Sequence, residues 1–521
     1  MKTIKYILLS AVLIGFTACN DEEDFDMTEA EVVLPELTTG SLDLSNYVAL
    51  GASFTSGFTD NALFITAQEN SFPNQLATQF AKAGSGSFSQ PLMSDNTGGL
   101  LFNGMPAPDG SFGPRLFFNG AGPAVLPGMS TTEATNNLGG TFNNVGVPGA
   151  KSFHVPFQGY GALNPYFGRM ASSPTASMLG DAVAQSPTFF TLSEIGGNDV
   201  LTYATSGGVG VDQTGNINPL TYSNNDITDP NVFAQSFNAM VTALTQNGAK
   251  GVVTNVPDIT SLAHFTTVPH NPIPLDAATA GFLNSASAYG AYNGGLDATL
   301  AFLLANPPQL AFFFPPANDM TSEEIAQAEI ARRKITFSEG EGNAVVIFDE
   351  NLTDLTAINA GLVNMRQATA EDLLVLPSSS FIGTEAIPGN PATVNGVAIP
   401  LADKWVLTPE EQLAIATATA AYNATIESVT SSNPNVALTD LRAVLEQAAT
   451  VGYPYDEYTM TTDLVFGGMV SLDGVHLTAR GYGLMAREFL VAMDAAFGSN
   501  FIASRNTPAA GPLPTNYSPT L

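Results

Sequence analysis

Four short segments hold the residues whose types and spacing could do chemistry. In Gly51-Ala52-Ser53-Phe54-Thr55-Ser56-Gly57 a serine follows directly on an apolar run. A strand-to-helix turn there would expose the hydroxyl at the C-terminal edge of a sheet, with backbone N–H groups beside it. Asn144-Val145-Gly146-Val147-Pro148-Gly149-Ala150 offers a glycine N–H that a substrate could approach closely, as an oxyanion hole needs. Gly196-Gly197-Asn198-Asp199 sets a side-chain amide at the end of another apolar run. In Ser471-Leu472-Asp473-Gly474-Val475-His476-Leu477 an acid stands three residues before a histidine, one of only four with His154, His264 and His270. The acid can hold one ring nitrogen while the other acts as base toward a serine hydroxyl. Taken singly, each segment reads equally well as a turn whose polar side chains bond their own backbone.

Taken in order, the four resemble the motifs of the SGNH or GDSL hydrolases, a family of esterases, lipases and acylhydrolases. The match runs from Gly51 to His476, nearly the whole chain after its N-terminal leader. The resemblance implies Ser53 as nucleophile, His476 as general base and then acid, and Asp473 as orienter of the imidazole. It implies an oxyanion hole of the Ser53 N–H, the Gly149 N–H and the Asn198 amide, with Asp199 steadying that loop. It also implies carboxylic ester hydrolysis through an acyl-serine intermediate, without a cofactor, on a three-layer α/β/α flavodoxin-like sheet. The family's usual Gly-Asp-Ser-Leu is here Gly51-Ala52-Ser53-Phe54, which puts in doubt the hydrogen bonding that steadies the turn. The competing reading is a surface lipoprotein of the same fold that binds a lipid or glycan ligand without catalysis.

Such side chains need strands that end beneath them. Tyr47–Leu50, Thr188–Ile195, Gly251–Val256 and Ala344–Phe348 are short apolar runs of the kind buried on both faces of a parallel sheet. Between them, Phe233, Phe237, Met240, Val241 and Leu244 recur at helical spacing behind Asp229-Pro230. Thr408-Pro409-Glu410-Glu411 is a capping box with proline at the first helical position. The alternation predicts an α/β protein with a mostly parallel sheet over 46–500. Segments near 58–140 and 365–405 read as long insertions, functional or lid-like. Phe312-Phe313-Phe314 could line an acyl pocket or simply fill the core. Residues 501–521, with four prolines after Ser504, read as an extended, weakly ordered tail. The triplet Ala-Tyr-Asn occurs at 291–293 and again at 421–423, a match short enough to be coincidence.

The N-terminus bears on location. Lys2 and Lys5 precede an apolar run, Tyr6–Phe16, too short to span a bilayer comfortably and shaped like a signal peptide. It ends in Phe16-Thr17-Ala18-Cys19, similar to the lipobox of bacterial lipoproteins, which implies cleavage after residue 18 and a lipid on Cys19. The alternative is an ordinary signal peptide with a chance cysteine. Cys19 is the chain's only cysteine, so no internal disulfide can form. The acidic run Asn20–Asp26 opens a tether over 19–45 and resembles the export signal of cell-surface lipoproteins. The expectation is an outer-membrane lipoprotein held by its lipid, with cell-surface exposure the reading that the acidic run favours. A net charge of −31 repels nucleic acid and anionic headgroups, leaving a small-molecule, lipid or glycan ester as the expected partner. No His, Cys and carboxylate cluster stands at metal-ligand spacing, so no metal is expected.

Overall fold

Val48, Ala49 and Leu50 are wholly buried, as an apolar run without a polar face must be. They lie in an inner strand of a five-stranded parallel sheet in the computed structural model, which describes residues 33–521. The strands are β1 (Tyr47–Gly51), β2 (Asn144–Gly146), β3 (Phe189–Ser193), β4 (Lys250–Thr254) and β5 (Val436–Thr439). Their order across the sheet is β5-β4-β3-β1-β2, and every neighbouring pair is parallel. Parallel neighbours need crossovers, and helices supply them. Between the strands run α1 (Ser53–Ser56), α2 (Phe72–Lys82), α3 (Met178–Ala184), α4 (Asn198–Thr205), α5 (Pro230–Thr245) and α6 (Pro409–Ser432), and after β5 come α7 (Leu441–Thr450) and α8 (Ala479–Phe497). In one group α2 packs on α8, and α8 on β5 and β4; in the other α5 packs against α3 and α6.

Local chemistry explains the helix starts. The Asp229 carboxylate accepts the N–H groups of Asn231 and Val232 at 2.8 and 3.1 Å, and Pro230 opens α5. The five apolar residues expected on one face of α5 are all buried. At α6 the capping box forms: the Thr408 N–H and hydroxyl both donate to Glu411 Oε2, at 2.6 and 2.9 Å.

The apolar run at Ala344–Phe348 is the one strand misplaced by reading the sequence. Val346–Phe348 pairs antiparallel with Met365–Gln367, outside the parallel sheet. Val345, Val346 and Ile347 of this run are buried in a second apolar core that extends from Val268 to Val406, while Phe348 is exposed. Burial makes a run apolar whichever core buries it. The insertion between β4 and β5 therefore begins about a hundred residues before the segment expected near 365–405. A buried ion cluster holds it together: Arg366 meets Asp349 at 2.5 Å and Asp372 at 2.6 Å. The repeated triplet is used alike in both bodies. Tyr292 and Tyr422 each donate to backbone carbonyls, and Asn293 and Asn423 each bond both the N–H and C=O of one distant residue, Ile335 or Val256.

Residues 58–143 carry two short hairpins, Leu101–Phe102 with Met105–Pro106 and Leu116–Phe118 with Pro123–Val125, and also α2. The tail, expected to be loosely held, packs against the body. Phe501, Ala510 and Tyr517 are buried, and the buried Arg115 guanidinium donates to the Ser518 carbonyl at 2.5 Å. The tether expected to reach residue 45 joins the body earlier: Leu42 and Leu44 are buried, and the Ser41 N–H donates to the Phe497 carbonyl at the end of α8. The signal peptide, Cys19 and the acidic run fall outside the described residues. Among those described, no helix is long and apolar enough to cross a membrane.

Candidate active site

Strand β1 ends at Gly51, and α1 starts at Ser53 within two residues. So tight a turn leaves several N–H groups without helical partners. The Glu194 carboxylate takes three of them: Oε1 accepts from Ala52 and Thr55 at 2.8 Å each, and Oε2 from Phe54 at 2.6 Å. The N–H of Ser53 itself is not among the three. Glu194 stands just after β3 in the left-handed region, at φ 56°, and its own N–H donates to Thr254 Oγ1 at 2.8 Å. Burial pushes its carboxyl up to about 7, against the pull of the N–H groups. This is the steadying interaction that Ala52, 1 % exposed, cannot supply. Nothing marked Glu194 in the sequence except its position at a strand's end, directly before Ile195-Gly196-Gly197.

On the other side of Ser53, the loop before α8 turns Asp473 back on His476. Asp473 Oδ2 meets His476 Nδ1 at 2.9 Å and accepts the Asn61 N–H at 2.8 Å. Its Oδ1 accepts the N–H groups of Val475 and His476, both at 2.8 Å, and the Ser471 hydroxyl at 3.0 Å. Burial alone would raise this carboxyl; the His476 ring and these donors overcome it and hold Asp473 well below the usual carboxylate range. With Nδ1 committed, Nε2 is the nitrogen left for base chemistry. Phe58 packs on the imidazole with ring centres 4.6 Å apart. Among the described residues no hydrogen bond joins Ser53 Oγ to His476 Nε2, a contact that often closes only around substrate. A further acid, Asp60, was not foreseen. It is 2 % exposed, accepts the Leu472 N–H at 3.0 Å, and burial pushes it up to about 7.

The third and fourth expected residues meet on one loop. Asn198 begins α4 and donates through Nδ2 to the Ala150 carbonyl at 2.9 Å, leaving the amide's second hydrogen uncommitted. Asp199 accepts from the Ser152 N–H and hydroxyl at 2.9 and 2.7 Å, so it ties α4 to the segment after Gly149. Gly146 lets β2 close on the Ser53 turn: a Cβ there would lie 2.3 Å from the Ser56 nitrogen. Gly149 is exposed at φ 78°. It lines an aromatic cleft with Phe58, Phe112, His154, Tyr160 and Tyr166.

Ser53, Asn198, Glu194 and His476 all line a different cavity, partly open to solvent. Its remaining wall is nearly all apolar, with Leu441, Val444 and Leu445 from α7 and Leu484 and Met485 from α8. Phe312, Phe313 and Phe314 do not reach it; Phe312 is exposed and Phe314 belongs to the second core. The structure thus brings Ser53, Asn198 and His476 to the lining of one cavity, with Asp473 bonded to His476, Asp199 next to Asn198 in sequence, and Gly149 in a separate cleft. Comparison of the chain with protein-family models, with curated proteins and with solved structures gives no match.

Proposed function

We propose that the chain is a serine ester hydrolase of the kind its motifs resemble. The observation that carries this reading is the 2.9 Å Asp473–His476 contact on the cavity wall that also presents Ser53. The strand order β2-β1-β3-β4-β5 supports it, being that of flavodoxin-like doubly wound sheets, which bind ligands at the C-terminal ends of the strands. The helix groups then read as the outer layers of an α/β/α sandwich.

In the first step Ser53 Oγ attacks the ester carbonyl while His476 Nε2 takes its proton. The Ser53 N–H, the free hydrogen of the Asn198 amide and the Gly149 N–H receive the oxyanion. His476 then protonates the departing alcohol, and water repeats the sequence on the acyl-serine. Asp473 keeps the imidazole in the tautomer that this requires and stabilises its charged form. The apolar cavity takes the acyl chain, and the aromatic cleft at Gly149 takes the alcohol. A wall so poor in polar groups suits a lipid-type acyl chain better than an acetylated glycan. The lipid anchor at Cys19 and the outer-membrane location belong to the same proposal.

The absent Ser53–His476 hydrogen bond favours a second reading, a non-catalytic binder that holds a lipid in this cavity. Hydrolysis of p-nitrophenyl esters of graded chain length separates the two. We expect turnover that Ser53→Ala abolishes while the far-ultraviolet circular dichroism stays unchanged. Equal turnover by wild type and variant, or none by wild type, sinks the catalytic reading.

A further inference from the structure

Far from Ser53 in sequence and role, three carboxylates converge where the second core meets the main body. Glu350 follows the strand Val346–Phe348, Asp403 begins a short 3₁₀ turn, and Glu411 lies in the first turn of α6. One oxygen of each lies within 4.8 Å of one oxygen of each of the others. Spacing along the chain hides such a group, because 61 residues separate its first member from its last.

Two further observations set this group apart from an ordinary acidic surface. Glu411 is only 4 % exposed, and its Oε1 is buried with no hydrogen-bond partner; Oδ1 of Asp403 is buried and partnerless too. The other oxygen of Glu411 is spent on the Thr408 capping box, which fixes the side chain. Gly208 closes against Oε1: a Cβ there would come within 1.7 Å of it. A buried carboxylate oxygen is costly when nothing answers it. Among the described residues no lysine or arginine donates to Asp403 or Glu411, although Arg332 pairs with the neighbouring Asp349 and Glu410. Burial raises Asp403 to about 7 and Glu411 to about 8, with Glu350 adding to both.

We propose that Glu350, Asp403 and Glu411 form a Ca²⁺ site that ties the second core to the main body. Oxygen donors alone select a hard cation. Two oxygens on one Ca²⁺ at about 2.4 Å are at most about 4.8 Å apart, the limit that this group meets. Ca²⁺ also accepts an irregular set of six to eight oxygens, whereas Mg²⁺ demands a near-octahedral one. The exposed side of Glu350 leaves room for water to complete the shell.

The test uses the full chain freed of metal with EDTA, and Tb³⁺ as a luminescent stand-in for Ca²⁺. Trp405, the only tryptophan, stands two residues from Asp403 and serves as the antenna. We expect saturable Tb³⁺ luminescence that Ca²⁺ displaces at concentrations where Mg²⁺ does not, and a Ca²⁺-dependent rise in Tm. Asp403→Asn and Glu411→Gln should weaken binding at least tenfold and remove the rise. Glutamine preserves the capping box, so α6 survives the second change. Wild-type luminescence that Ca²⁺ cannot displace, or binding equal in both variants and wild type, overturns the proposal. So does a Tm that follows pH alone, since a shared proton then balances the charge.

Discussion

Glu194 reaches across from the end of β3 to hold three N–H groups of the Ser53 turn. We predict that Glu194→Ala lowers kcat by about 10²-fold, as small misplacements of a nucleophile do, with a smaller change in KM. Glutamine keeps one accepting oxygen but sets an amide donor against a backbone donor, so Glu194→Gln should fall between. Kinetics on p-nitrophenyl esters read both, and an unchanged kcat in the alanine variant refutes the role. Asn198→Ala should cost about 10²–10³ in kcat, the usual loss for an oxyanion donor, in the same assay. Ser53, Asn198, Asp199, Asp473 and His476 were legible in the sequence because each sits in a short motif of distinctive residues, although only Asp473 and His476 are held within their own motif. Glu194 and Asp60 were not. Their partners lie 142 and 412 residues away, and only the fold brings them near.

At the level of elements, α7 and α8 form the apolar side of the cavity, and their register sets how deep it runs. Leu445→Trp fills space facing Ser53. We predict a shift of preference from dodecanoyl toward butyryl esters of about tenfold in relative kcat/KM, since each buried methylene counts for 10-fold or more. An unchanged chain-length profile would place the acyl group elsewhere. In the second core, Arg366→Ala strands the buried Asp372 carboxylate and leaves Asp349 to Arg332 alone, and should destabilise by about 3–5 kcal/mol, read from a denaturant melt. The helices α5 and α6 were legible because their caps are local chemistry. The second core was not, because Val346–Phe348 has the same apolar run whether it joins a parallel sheet or a two-stranded pair. The packing of the tail was hidden too: its prolines exclude regular structure but not burial, and the burial comes from contacts to Arg115, Tyr455 and Arg480.

For the whole molecule, several buried acids act together. Glu194, Asp60 and Asp403 are raised to about 7 and Glu411 to about 8. Their unfolded forms ionise near 4, so between these values the folded chain binds more protons, and stability falls as pH rises. Asp473 works in the opposite direction: its lowered value adds stability that is lost only in stronger acid. The thermal midpoint should therefore peak near about pH 4 and drop by pH 8, with Ca²⁺ restoring part of the loss. A midpoint that climbs steadily to pH 8 would contradict this. A net charge of −31 repels anions, so under the proposed function a neutral ester should be preferred over an anionic one. The central claim, that Ser53 is an activated nucleophile, is tested most directly with a fluorophosphonate probe and peptide mapping by mass spectrometry. The account predicts a single adduct on Ser53, lost in Ser53→Ala and strongly slowed in His476→Ala. An unlabelled wild type, or an adduct on another residue that survives Ser53→Ala, would contradict it.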